Sequence, residues 1–148
     1  EDDVEVVDDP RQIPELIRSL DSLVGDWDIL FTDTDTKDTK GNHVPCRAMA
    51  ARPNFCVETL DTLLQRFFVV DQHFSRIGMR YGAYSMIIRR SGMEKILSYF
   101  KTYGVFLPYD MDFWLVPNIE MYIVNRDIVS HAPGAPTDNN CPHYLKGA

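Results

Sequence analysis

Cysteine is scarce in this chain: Cys46, Cys56 and Cys141 are the three in 148 residues, and none form a CxxC pair. An odd trio excludes a disulfide scaffold and reads as reduced thiols, with a Cys46–Cys56 bridge the one pairing left open. The histidines (His43, His73, His131, His143) include no pair at zinc spacing, so a structural zinc is not expected. No apolar run approaches the roughly 18 to 20 residues of a membrane span. Basic residues are in deficit as well. Against 22 Asp and Glu there are 15 Lys and Arg, a net charge of −7 that disfavours a nucleic-acid backbone as partner. Neither an initiator Met nor a secretory leader opens the chain, and no internal repeat runs through it.

What is present reads as globular, at 45% apolar and 11% aromatic residues. Ile13, Leu16, Ile17, Leu20, Leu23 and Val24 follow i, i+3, i+4, i+7 spacing, which predicts an amphipathic helix with Pro14 in its first turn and Gly25 as its stop. "WDILF" (27–31) reads as a strand and "DTDTKDTKGNH" (33–43) as a loop. A helix is expected in 57–67, with Val57, Leu60, Leu63, Leu64 and Phe67 on one side. "RFFVV", "YSMII", "MYIV" and "DIVSH" read as strands. In "SGMEKILSYFKTYG" the spacing predicts a helix with a Ser91/Glu94 capping box, a buried face of Met93, Ile96, Leu97 and Phe100, and an end at Gly104. The tail 132–148, rich in proline and turn formers, reads as a loop or flexible end. Strands alternating with amphipathic helices predict an α/β fold.

Three groups of acids could carry chemistry. Glu1, Asp2 and Asp3 precede the strand-like "VEVV", and carboxylates at a strand end suit a hard cation such as Mn2+ or Mg2+; a solvated acidic terminus is the plain alternative. Asp33, Asp35 and Asp38 form a D-x-D pattern after a strand and offer a second metal or calcium reading. The EF-hand glycine falls late there, and no closing acid follows. Asp110 and Asp112 stand in "LPYDMDFW" among Tyr109, Phe113 and Trp114. A carboxylate partly enclosed by aromatic surface suits general-base work, while a helix-capping role is the structural alternative.

In order along the chain, four blocks resemble glycosyltransferase family 25, the lipooligosaccharide and procollagen galactosyltransferase type. They are "EDDVEV", "VGDWDILF", "RYGAYSMIIRRSGMEKIL" and "FLPYDMDFW", within residues 1–31 and 77–131. The resemblance implies a GT-A-like fold, here lacking its N-terminal donor-binding βα units, so that the chain is the C-terminal part of a catalytic domain with the upstream part of the same protein as its partner. It implies inverting transfer of a sugar, galactose foremost, from a UDP-sugar to a glycan or hydroxylysine-type acceptor, with Mn2+ or Mg2+ as cofactor. The compartment would be the cytoplasm for a bacterial or viral enzyme and the secretory-pathway lumen for a collagen-modifying one.

Carried over by position, Asp3 is the metal ligand, with Asp2 and the late His131 as further ligands. Glu1 and Asp2 would contact the metal's waters or the donor ribose. Asp110 falls on the general base, with Asp112 in reserve. Tyr81, Tyr84 and Ser85 would line the donor or acceptor pocket, although "GAYSMII" also reads as core strand. A protein that keeps this fold and binds carbohydrate or scaffolds without turnover is the alternative function.

Overall fold

The computed structural model describes residues 4–34 and 54–131. Seven strands occur among them: β1 (Val4–Val6), β2 (Ile29–Phe31), β3 (Phe68–Val69), β4 (Phe74–Ile77), β5 (Met86–Ile88), β6 (Met121–Val124) and β7 (Val129–His131). The helices are α1 (Ile13–Val24), α2 (Leu60–Leu64), α3 (Arg90–Tyr103) and α4 (Tyr109–Asp112). Five strands make a mixed sheet in the order β3-β4-β6-β2-β5, while β1 and β7 pair as a separate antiparallel ribbon. The chain is therefore α/β, with one parallel pair, β2·β6, inside an otherwise antiparallel sheet.

β6 is central, and all four of its residues are buried, as a strand covered on both faces requires. Its side chains alternate between two cores. Met121 and Ile123 join Ile29, Phe31, Ile77, Phe113 and Trp114 on one face, against Ile96 and Phe100 of α3. Tyr122 and Val124 join Leu20, Trp27, Leu30, Phe74 and Ile128 on the other, against Ile13, Leu16 and Ile17 of α1. Each fully buried Leu, Ile or Phe contributes about 1.5–3 kcal/mol by leaving water. The apolar stripe read in 13–24 is thus the face that α1 lays on the sheet, except that Leu23, counted in it, is exposed. A single 3-10 turn, Pro10–Gln12, leads into that helix, and Asp9 caps the turn by accepting from the Arg11 N–H at 3.0 Å.

Trp27 and Asp28 lock α3 to the sheet. Asp28, 2% exposed, accepts from Ser91 Oγ (2.9 Å) on Oδ1, and from Lys95 Nζ (2.6 Å) and the Glu120 N–H (2.9 Å) on Oδ2. The Arg89 guanidinium lies 4.3 Å from the Trp27 ring, and Trp27 Nε1 donates to Asp21 at 2.7 Å. The expected capping box is therefore absent: Ser91 turns to Asp28, Glu94 pairs with Arg90, and Arg89 stands at the N-cap without a side-chain bond. The buried face also differs. A Cβ on Gly92 would stand 2.8 Å from the Asp28 carbonyl oxygen, so α3 must approach through Gly92. That rotation buries Gly92 and Tyr99 and leaves Met93 and Leu97 in solvent.

Other expectations need correction. The helix expected in 57–67 shrinks to α2, where Leu63 is buried and Leu64 is exposed. β4 was not legible, because "HFSRI" mixes polar and apolar residues at a site buried only at its ends, Phe74 and Ile77. Among the described residues β1 lies outside the main sheet and pairs with β7 alone. Cys56 is an exposed thiol, and Cys46, its candidate partner, lies outside the described residues. Residues 35–53 and the tail from 132, including Asp35 and Asp38, lie outside the described residues.

Candidate functional site

The parallel pair β2·β6 directs two carboxyl ends the same way, and α/β sheets commonly bind ligands in the crevice outside such ends. The segment after β2 runs Thr32, Asp33, Thr34, and the Thr34 N–H donates to Asp127 Oδ1 (2.6 Å) in the turn after β6. Asp33 does not open to solvent. It is 3% exposed, and its Oδ2 accepts from Arg80 Nη2 at 2.7 Å. A guanidinium at that distance opposes a cation, which removes Asp33 from both D-x-D readings.

Arg80 is itself wholly buried, its guanidinium 4.1 Å from the centroid of Phe31. Its Nε donates to the carbonyls of Tyr81 and Gly82, both at 3.1 Å. Gly82 is where the site converges. Its φ of +78° is one that a side chain rarely adopts, and a Cβ there would stand 2.7 Å from the Tyr84 ring. Its N–H donates to Asp110 Oδ2 at 3.1 Å. Gly82 thus joins its near neighbours Arg80 and Tyr84 to Asp110, 28 residues further along the chain.

Asp110 sits in α4, half-buried, beside exposed Tyr109. Its Oδ1 has no hydrogen-bond partner among the described residues. Behind it, Tyr109 meets Phe113 (6.3 Å between centroids) and Phe113 stacks on Phe31 (5.8 Å), so aromatic surface runs from α4 back to Arg80. Thr32 Oγ1 and Arg80 Nη1 are buried with no hydrogen-bond partner among the described residues. A polar site at the end of β2 therefore holds bonding capacity that the described protein atoms do not use.

The expected residues separate. Asp110 and Tyr84 meet at Gly82. Asp112 is fully buried and accepts from the Phe106 N–H at 3.2 Å, a place in the interior beneath the turn into α4, so Asp110 is the carboxylate that retains open surface. The Ser85 carbonyl accepts from the Thr32 N–H at 3.1 Å, extending the β2·β5 ladder. Glu1, Asp2 and Asp3 lie outside the described residues, as does the side chain of His131. The backbone of His131 pairs with Val4, so the residue next to Asp3 and the residue carrying the imidazole stand opposite one another. Among the described residues no cluster of three His, Cys, Asp or Glu could hold a metal. Arg80 and Gly82 were missed by sequence reasoning. The available signal was a charged residue inside the apolar run "IGMRYGAY". No protein-family model, curated protein or solved structure matches this chain.

Proposed function

We propose that this chain forms part of a GT-A-like, metal-dependent inverting glycosyltransferase that moves a sugar, galactose foremost, from a UDP-sugar to a glycan or hydroxylated acceptor. The observation that carries the reading is the convergence of Asp110, Tyr84 and Arg80 on Gly82, outside the carboxyl end of β2. The four-block resemblance names the chemistry that such a constellation would perform.

On this reading Asp110 is the base. One oxygen is held by the Gly82 N–H, which fixes the carboxyl group, and the other has no hydrogen-bond partner among the described residues. Oδ1 takes the proton of the acceptor hydroxyl as that oxygen bonds to the anomeric carbon and the bond to the diphosphate breaks on the opposite face. Tyr84 and Tyr109 offer aromatic surface to the apolar side of a sugar ring. Arg80 and Asp33 hold the 80–82 turn that positions Asp110. Asp2, Asp3 and His131 would hold Mn2+ or Mg2+, with Glu1 and Asp2 toward its waters or the ribose. Such an ion supplies charge stabilisation to the leaving diphosphate when bound. Most donor contacts fall to an upstream part of the same protein.

The test is UDP-galactose turnover by this chain joined to that upstream part, with and without Mn2+. Asp3→Ala is expected to remove both turnover and Mn2+-dependent UDP binding. Asp110→Asn should remove turnover and leave UDP binding within about twofold, since an isosteric amide keeps the carbonyl that meets Gly82. Near-normal turnover by Asp110→Asn would overturn the assignment. Sugar binding by the unaltered protein without any turnover would favour the non-catalytic alternative.

A further inference from the structure

The main sheet ends on two unlike edges. Both residues of β3 stand in solvent, whereas all three of β5 are half-buried. Met86 and Ile88 pack against the core beneath α3, and Ile87 against the core beneath α1, so both cores run out to the β5 edge. The Ser85 carbonyl accepts from the Thr32 N–H (3.1 Å), and the Arg89 N–H donates to the Asp28 carbonyl (2.9 Å). An antiparallel ladder alternates, so Ser85, Ile87 and Arg89 direct their backbone groups at β2, while those of Met86 and Ile88 point outward. No hydrogen bond among the described residues reaches that outer row.

An apolar flank of α3 lies on the same side. Gly92 sits against Asp28 at the entry to β2, and Ser91 and Lys95 turn toward Asp28 and Asn118, the latter leading into β6. Two residues advance a helix by about 200°, so Met93 and Leu97 emerge on the opposite flank. Since β6 and β5 lie on either side of β2, that flank overhangs the β5 edge. Met93 is 49% and Leu97 67% exposed. An unpaired apolar strand beneath exposed apolar side chains is a ready site of association.

We infer that β5 and this flank of α3 form the interface of a twofold homodimer. Outward-pointing backbone groups pair only with outward-pointing ones, and a second β5, running antiparallel about an axis at Ile87, meets that condition. Met86 then exchanges hydrogen bonds with the partner's Ile88. The side chains match in the same register. Met86 lies beside the partner's Ile88 over one core and Ile87 beside the partner's Ile87 over the other, so each core continues across the axis. Met93 and Leu97 close over the join with their counterparts. Charge permits the approach: the exposed face of α3 carries Arg90 and Lys101 against Glu94, so a chain of net charge −7 turns no excess of acid toward its copy here. An isologous contact of this kind stops at two copies. The inference goes beyond the glycosyltransferase reading and does not depend on it.

Sedimentation velocity on the full 148-residue chain is expected to show a monomer–dimer equilibrium, with the Met86 and Ile88 amides exchanging more slowly as the dimer fills. Leu97→Lys costs the monomer little packing but sets like charges face to face, and should weaken the dimer about tenfold or more. Ile88→Pro removes an outward N–H, leaves the bonds to β2 in place and should also yield monomer. Unchanged far-UV circular dichroism would show the variants folded. A chain that stays monomeric at every concentration, or a dimer indifferent to both substitutions, would overturn the interface. Slow exchange at Met86 and Ile88 in a monomer joined to its upstream part would give the edge to that part, and would overturn it as well.

Discussion

The most exacting test of the site falls on Arg80. Arg80→Met keeps an unbranched side chain of similar reach over Phe31 but removes the charge that faces Asp33 at 2.7 Å. Both partners are buried, with side-chain exposures of 0% and 4%, so solvent screening offers little relief. Removing one member of a buried pair leaves the other charge uncompensated and typically costs about 3–5 kcal/mol. The two Nε bonds to Tyr81 and Gly82 are lost as well, each worth about 0.5–1.5 kcal/mol. Asp33→Asn in the same chain neutralises the stranded carboxylate. The double variant should therefore be more stable than Arg80→Met alone, with a coupling energy of about 2–3 kcal/mol. What stays lost is the hold on the turn: Gly82 no longer fixes Asp110, and turnover should remain depressed after stability returns. Urea unfolding of all four members of the cycle measures the coupling, and turnover of the same proteins separates stability from function. Additive single effects would refute the buried-pair argument. Full recovery of turnover in the double variant would refute the positioning role.

Three further outcomes follow from the geometry. Asp28→Ala should cost about 3–5 kcal/mol because the Glu120 N–H, Ser91 and Lys95 lose their common acceptor, whereas Asp28→Asn, which can still accept at one oxygen, should cost less; equal losses on thermal unfolding would contradict this. Gly82→Ala should destabilise by about 1–2 kcal/mol through the positive φ and the Tyr84 ring, and should lower turnover more than UDP binding, as kinetics would show. The carboxyl of Asp8, through the Asp9 N–H, and that of Asp9, through the Arg11 side chain and N–H, are held below their ordinary 3.8. Groups depressed in the folded state favour it above the unfolded value and lose that effect as pH falls through the folded one. The Arg11 amide resonance should therefore titrate with a midpoint below 3.8, and a midpoint at or above 3.8 would refute the cap.

Regular periodicity made some elements legible and long-range contacts hid others. α1 could be read because its stripe packs on a sheet with nothing else competing for the face. α3 could be placed but not oriented: its apolar stripe through Met93 and Leu97 is overruled by Gly92, whose close approach to Asp28 decides which side faces in. Ser91 carries a capping signal that a partner more than sixty residues away diverts. The α/β class follows from alternating elements, whereas the mixed sheet and the separate β1·β7 ribbon depend on pairings that no local pattern encodes. At the site, Asp110 stood out by its aromatic neighbourhood, whereas Tyr84 entered only through the family resemblance. Arg80 and Gly82 did not stand out, since burial of a charge against Asp33 is invisible until the chain brings residues 33 and 80 together.

β6 is the keystone of the sheet yet is made late, at residues 121–124. Until it has emerged from the ribosome, β2 and β4 each present an unsatisfied row of backbone donors and acceptors where their shared neighbour will sit. Synthesis thus passes through a stage in which two unpaired edges await one strand, and premature termination before Met121 should yield aggregates rather than a smaller folded unit.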